Sequence, residues 1–316
     1  MSTSQATGAA SAEGRQLGAA SVGEILRLLS GGAAGEILLA LRQGPTQTKV
    51  LTHQVKGYTA RTIYRYLARL AELGTLDRND DPGGPARVVH ALTGDAGSEL
   101  AELIDRFAAA SMTRVRCGQI DSREWASLGL LADLWEAGVV EALSHGPTSP
   151  TELTRGLRCL SYHQLIRRAS RFEASGFFRE APQLRRQRRC YALTRKARCT
   201  MGLVVGIGRW RHRHLPNDLD AGLTGAEMAT VLRTLLPLAK VSRHPNEIIS
   251  FHVEGSGEAG QLRVEREGEE AAWAMGTVEE WGGALLDGEL CVATEGDSTL
   301  VRECLASLYE ELWTPA

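Results

Sequence analysis

Residues 44–78, GPTQTKVLTHQVKGYTARTIYRYLARLAELGTLDR, align without a gap on residues 146–180, GPTSPTELTRGLRCLSYHQLIRRASRFEASGFFRE. The offset is 102 residues throughout, and it matches Gly44 with Gly146, Pro45 with Pro147, Leu51 with Leu153, Arg65 with Arg167, Arg69 with Arg171 and Gly74 with Gly176. Further on, HALT at 90–93 meets YALT at 191–194 with a one-residue shift. A register shared over this length marks a duplicated structural unit. Whatever the first copy folds into, the second must bury the same pattern in the same way.

The pattern of one copy can be read from its periodicity and its stop signals. Ile37, Leu38 and Leu41 share a helical face, and Gly44-Pro45 ends that helix. A short helix is predicted over 49–55. Thr59 is a good N-cap for a third helix running to about Leu73, with Ile63, Leu67 and Leu70 as its inward stripe and Gly74 just past its end. Strands are predicted at 75–78 and 87–92, joined by the Gly/Pro-rich loop 80–85, and another helix follows Thr93. The second copy repeats the order. Ser161 caps a helix whose inward stripe is Leu165, Ala169 and Phe172, Gly176 ends it, and the loop before Tyr191 is PQLRRQRR. Three helices, a strand, a loop and a strand are the order of a winged helix.

LGTLDRND and PARVVHALT in the first copy, with LTRGLRCLSYHQLIRRASRFEASGFF and YALT in the second, resemble the HxlR-like/MarR-like winged helix-turn-helix family of bacterial regulators. The resemblance covers most of each repeat. It departs from the family in the helix AAGEILLAL, which lacks an expected Trp; Trp135 is a loose counterpart in the second copy. It implies a DNA-binding transcriptional regulator. The family pairs single-unit subunits into a homodimer, so two fused units imply that one chain mimics that dimer, with dimerisation of the whole chain left open. Similar units also serve as dimerisation modules ahead of catalytic domains. No cofactor-binding domain follows here, and the chain is not expected to be an enzyme.

A helix-turn-helix sets its second helix in the major groove. The outward residues of that helix are Arg61, Thr62, Tyr64 and Arg65 in the first copy. In the second they are Tyr162, His163, Gln164, Arg167, Arg168 and Arg171. Arg can pair with guanine, Gln with adenine, and Thr or Tyr with phosphate. The second loop adds Arg185, Arg186, Arg188 and Arg189, whereas the first carries Asp80, Asp81 and only Arg87. The second copy is therefore expected to supply most of the affinity for double-stranded DNA.

Charge supports that asymmetry. The formal net charge is −2, yet residues 155–214 hold sixteen Lys/Arg against two Asp/Glu, and residues 215–316 hold six against nineteen. A basic block of that density points to a polyanion. The six cysteines have no CxxC or zinc-ligand spacing and read as reduced thiols of a cytoplasmic protein, with no metal and no cofactor expected. Residues 1–20, rich in Ala, Gly, Ser and Thr, read as a disordered tail without the pattern of a signal peptide. The longest apolar stretch, 201–207, is too short to span a membrane.

The last third reads as an α+β unit: a helix over 223–238, strands at 248–253, 262–266 and 271–275, a helix over 278–286, a strand at 290–294 and a helix over 298–312. Its stretch AWAMGTVEEWGGALLDGELCVATEGDSTLVRECLASL weakly resembles sterol-carrier-like (SCP2-like) domains. That resemblance implies an apolar tunnel for a small hydrophobic ligand, with Phe251, Trp273, Met275, Trp281 and Leu285 as candidate lining. Gly255, Gly257 and Gly260 match GxGxxG, but the alternating QLRVERE that follows predicts a hairpin turn, because a dinucleotide site needs a helix there. His212 and His214 sit in RWRHRH with no acidic or Cys partner nearby and read as a solvated helix end.

The fold expected is thus mainly α with α+β: two tandem winged helices (21–115 and 120–214) before a small α+β domain (222–316). The function expected is a ligand-responsive transcriptional regulator. The alternative is a protein that sequesters a small molecule, such as an antibiotic, for self-resistance, and the acidic first loop is its support.

Overall fold

The computed structural model describes residues 20–81, 87–111, 119–157, 161–181, 189–215, 222–240, 248–254, 260–262 and 270–314. The described chain is mainly helical, with three small sheets. All but Ala20 of the tail expected over 1–20 lies outside these residues, as do most of both basic and acidic loops.

The first copy runs α1 (Val22–Ser30), α2 (Ala33–Leu41), β1 (Thr46–Gln47), α3 (Thr48–Gln54), α4 (Ala60–Glu72), β2 (Leu76–Asp81), β3 (Arg87–Leu92) and α5 (Gly94–Ser111). The second runs α6 (Ser122–Glu136), α7 (Val139–Ser144), α8 (Pro150–Gly156), α9 (Tyr162–Ala174), β4 (Phe178–Ala181), β5 (Cys190–Leu193), α10 (Arg195–Cys199) and α11 (Met201–His214). The 102-residue offset is kept to the residue by α3 and α8 and by α4 and α9.

The duplication extends to individual hydrogen bonds. Gly74 and Gly176 end α4 and α9 with φ of 75° and 76°, a left-handed turn that a side chain would resist. That turn lets the Thr75 amide donate to the Leu70 carbonyl and the Phe177 amide to the Phe172 carbonyl, at 3.0 and 2.9 Å. Thr46 pairs with His90 across β1 and β3, and Thr148 forms an isolated bridge with Tyr191 at the matching place. The sequence pattern had not marked β1; two residues are too few to show a period.

The two copies meet through their own equivalents. The first helices, α1 and α6, pack on each other, and so do the last, α5 and α11. An element that meets its own counterpart is the contact pattern of a two-fold pair. Arg27 of α1 forms a fork onto α6, 3.1 Å from Asp133 Oδ1 and 2.5 Å from Glu136 Oε2. Trp125 of α6 is 1% exposed and lies over Gly35 of α2, and its indole donates to Glu36 Oε1 at 3.2 Å.

The last third comprises α12 (Gly225–Leu235), a 3₁₀ turn (Leu236–Leu238), β6 (Ile248–Val253), β7 (Gly260–Leu262), β8 (Glu270–Gly276), α13 (Val278–Leu286), β9 (Ala293–Gly296) and α14 (Ser298–Trp313). Pro237 ends the regular helix early, inside the 3₁₀ turn. β6 and β7 are antiparallel, as a hairpin reading of the Gly-rich stretch requires, although residues 255–259 are outside the described set. β6 also pairs in parallel with β8, giving the order β7-β6-β8-β9. The strand expected at 290–294 instead begins at Ala293: Val292 is buried from an irregular segment, and the strand itself is mostly exposed, so its apolar letters misplaced it.

This third does not stand apart. α12 packs on α7, α13 on α11 and α14 on α5. Buried apolar residues from Val22 to Leu312 form one contiguous core, shared by all three sequence segments.

Candidate nucleic-acid interface

Both candidate recognition helices begin with a side-chain cap. Thr59 Oγ1 accepts the Thr62 amide at 3.2 Å, and Ser161 Oγ accepts the Gln164 amide at 3.3 Å. The third residue of each helix returns the bond. Thr62 Oγ1 lies 3.0 Å from Thr59 Oγ1, and Gln164 Oε1 accepts the Ser161 amide at 3.0 Å. Thr62 and Gln164 thus each use a side-chain oxygen at the helix start, and Gln164 is exposed there. The S-x-x-Q pattern of a capping box was present in the sequence and would have told this role apart.

Beside these, an exposed ridge lies on each helix: Arg61, Tyr64 and Arg65 on α4, and Tyr162, His163, Arg167 and Arg171 on α9. Tyr64 is 57% exposed and Tyr162 49%, unusual for large aromatic side chains. Arg168 falls where α4 carries the buried Tyr66, and it is half-buried beside the ridge. Arg65 spreads its guanidinium over the Tyr66 ring, 5.2 Å from the centroid. Among the described residues, Arg61, Arg65, Arg167 and Arg171 make no ion pair.

The two loops can be placed only in part. Arg185, Arg186 and Arg188 lie outside the described residues. Arg87 sits in β3 opposite Asp81, with its side chain outside the description. Arg189 is exposed and lies 3.7 Å from Glu180.

The cations after residue 194 have a different fate. Arg195 Nε donates to Glu311 at 2.8 Å, and Lys240 joins the same carboxylate. Lys196 pairs with Glu124 at 2.9 Å. Arg209 bridges Glu279 and Asp287 at 2.9 and 2.5 Å, and Arg213 bridges Glu99 and Glu279 at 3.0 and 2.9 Å. His214 reaches Glu99 at 2.6 Å, so the acidic partner missing from its sequence neighbourhood comes from α5. Hydrogen bonds from Lys240 and Arg195 hold the Glu311 carboxyl below the usual carboxylate range. Burial pushes the Glu279 carboxyl up, but the bonds from Arg209 and Arg213 outweigh it and the net displacement is downward.

The basic block is thus two populations. In its second half Arg195, Lys196, Arg209 and Arg213 pair with carboxylates inside the molecule, mostly those of the acidic last third, and Arg198 donates to the Thr234 carbonyl. In its first half, Arg167 and Arg171 on α9 face outward without ion pairs among the described residues. A run near +14 followed directly by one near −13 was the sequence signal for that pairing.

The five candidate ligand residues do not line one cavity. Phe251, Trp281 and Leu285 are essentially fully buried, with the Phe251 and Trp281 rings 5.6 Å apart and the Trp281 indole donating to the His252 carbonyl at 3.0 Å. In the β6–β8 register Phe251 neighbours Ala274, while Trp273 neighbours Ser250 and Met275 neighbours His252. Side chains alternate across a sheet, so Trp273 and Met275 are on the opposite face from Phe251. Trp273 packs edge-on against His252 there and donates to Glu295 at 2.9 Å. The sheet separates the proposed lining into core and outer surface.

Among the described residues there is no His/Cys/Asp/Glu cluster suited to a metal, and no helix is long and apolar enough to cross a membrane. Cys190, Cys199, Cys291 and Cys304 are outside any disulfide, and Cys117 and Cys159 lie outside the description. The chain matches no family model, no curated protein and no solved structure.

Proposed function

We propose that each copy is a winged helix-turn-helix unit and that the chain is a sequence-specific DNA-binding transcriptional regulator. The observation that carries this reading is the sorting of charge: Arg195 of α10 and Arg209 and Arg213 of α11 are paired with carboxylates, while Arg167 and Arg171 on the equivalent of α4 are exposed and without ion pairs among the described residues. A folded protein that neutralises one set of cations and leaves another outward on a single helix is arranged for an external polyanion.

Helix α9 is the main reading helix in this proposal, with Arg167 and Arg171 on phosphate or guanine and Tyr162 and His163 at its groove-facing start. Helix α4 contributes Arg61, Tyr64 and Arg65. The packing of α1 on α6 and of α5 on α11 supports a single chain acting as its own dimer. Such a chain would select an inverted repeat with half-sites one turn, about 10 bp, or a multiple apart.

Selection of bound duplexes from a random-sequence library tests this directly. Enrichment of two inverted half-sites at such a spacing is the expected outcome. Enrichment of a single unpaired site would remove the two-fold reading, and no enrichment at all would remove the regulator.

A further inference from the structure

Helices α4 and α9 are one backbone design carrying different side chains. Each has thirteen residues, starts on a hydroxyl cap and ends at a left-handed glycine, and the 102-residue offset is kept throughout. A residue of α4 and its counterpart 102 positions on therefore hold the same place in their own copy. What differs between them is chemistry, because the local geometry is shared.

Two places are kept. Arg65 matches Arg167 and Arg69 matches Arg171, and all four are exposed. Cations common to both copies suit phosphate, which is the same in every half-site.

The first turn is not kept. Helix α4 begins Ala60-Arg61 and α9 begins Tyr162-His163, all of them exposed. In a helix-turn-helix the N-terminal residues of this helix meet the base edges. An arginine there presents parallel N–H donors in a fork that matches guanine O6 and N7. An imidazole has its two nitrogens on different sides of the ring and cannot offer two parallel donors to one base. The His163 ring instead stands edge-on to that of Tyr162, with centroids 6.0 Å apart.

The exposed aromatic side chain has moved as well. It is the first residue of α9, Tyr162, but the fifth of α4, Tyr64; at the place of Tyr64 the second copy has the half-buried Ile166. Four residues are about 6 Å along a helix, on the scale of two base-pair steps of about 3.4 Å. The ridges agree in their cations and disagree in their groove-facing start.

We propose that the two copies read unequal half-sites: Arg61 fixes a guanine in the half bound by α4, the equivalent base pair in the half bound by α9 meets His163 and carries no such requirement, and the chain seats on its operator in one orientation. This rests on the DNA-binding reading above and adds to it. Identical subunits of a homodimer must present the same side chain to both halves, whereas two copies in one chain are free to diverge.

The test is selection from a random-sequence duplex library with three full-length proteins: wild type, Arg61→His and His163→Arg. Both changes are at exposed positions, so the thermal midpoints should match. Wild type should enrich two inverted half-sites with guanine required at one position of a single half. His163→Arg should bring the same guanine into the second half and make the operator symmetric, and Arg61→His should lose it from the first. On the wild-type operator, replacing that G·C pair by A·T should weaken binding about tenfold, and the matching replacement in the other half should change it less than about threefold. A single site or two identical halves from the wild type, or a guanine preference that does not follow the arginine in the variants, would overturn the proposal and leave DNA binding standing. Enrichment of no sequence at all would remove both.

Discussion

Gly35 and Trp125 offer a substitution whose sign should reverse with its partner. A Cβ built on Gly35 would come within 2.1, 2.5 and 2.6 Å of three atoms of the Trp125 ring. Ordinary carbon contacts lie at about 3.5–4.0 Å, so the ring would have to retreat by more than an ångström. It cannot do so freely, because it is 1% exposed and its indole is tied to Glu36. Overpacking of this kind costs about 1–3 kcal/mol, and the helix-propensity gain of Gly→Ala returns about 1 kcal/mol. Gly35→Ala should therefore be neutral to destabilising by about 2 kcal/mol. In a Trp125→Leu background the clash is gone and the same change should stabilise by up to about 1 kcal/mol, a coupling on the order of 1–3 kcal/mol. Urea unfolding of the four proteins of this cycle measures it. Because the contact joins the two copies within one contiguous core, each protein should unfold in a single transition with a common m-value. Additive effects, or separate transitions for the two copies, would refute the packing described.

Other consequences are narrower. Gly74→Ala and Gly176→Ala force a side chain into matching left-handed turns, so each should destabilise by about 1 kcal/mol or more and by similar amounts in thermal unfolding. Thr59→Ala and Ser161→Ala should each cost about 1 kcal/mol by removing the cap. Acidification should act in two windows. His90 has a pKa below its ordinary 6.5, so the unfolded chain takes up the proton first and stability falls as pH drops below about 6.5; His90→Gln should flatten that part of a stability–pH profile. The Glu279 and Glu311 carboxyls are displaced downward from 4.5, so their contribution is present above that value and is lost as pH falls through their lower folded values. Glu311→Gln should remove part of this second loss and leave the first.

Local order was legible because it is written in local signals. Thr59, Ser161, Gly74 and Gly176 set the ends of α4 and α9, and the buried stripes Ile63-Leu67-Leu70 and Leu165-Ala169-Phe172 follow from helical periodicity alone. Thr277 and Asp297 frame α13 and α14 in the same way. What escaped was non-local. The parallel pairing of β6 with β8 depends on strands separated in sequence, and it decides that Phe251 and Met275 are on opposite faces. The cleft beside α4, lined by Tyr64, Lys49 and Arg78 among others, is made by five elements, β1, α3, α4, β2 and β3, none of which carries a motif. The sequence showed a basic segment beside an acidic one and was read as pointing to an external polyanion; only the fold shows that Arg195, Arg209 and Arg213 are paired within the molecule.

That division of cations is also where the account is most exposed to experiment. Fluorescence anisotropy of a labelled mixed-sequence duplex, titrated with the full chain at several salt concentrations, gives both an affinity and a slope of log K against log salt. The wild-type chain should bind with a steep slope. Arg167→Ala/Arg171→Ala should weaken binding and reduce the slope by about 0.9 for each phosphate no longer neutralised. Arg195→Ala/Arg213→Ala removes the same formal charge from the paired set and should leave the slope unchanged while lowering thermal stability. Equal reductions of slope in the two variants, or no binding by the wild-type chain at about 50 mM salt, would contradict the assignment of α9 as the DNA-facing helix.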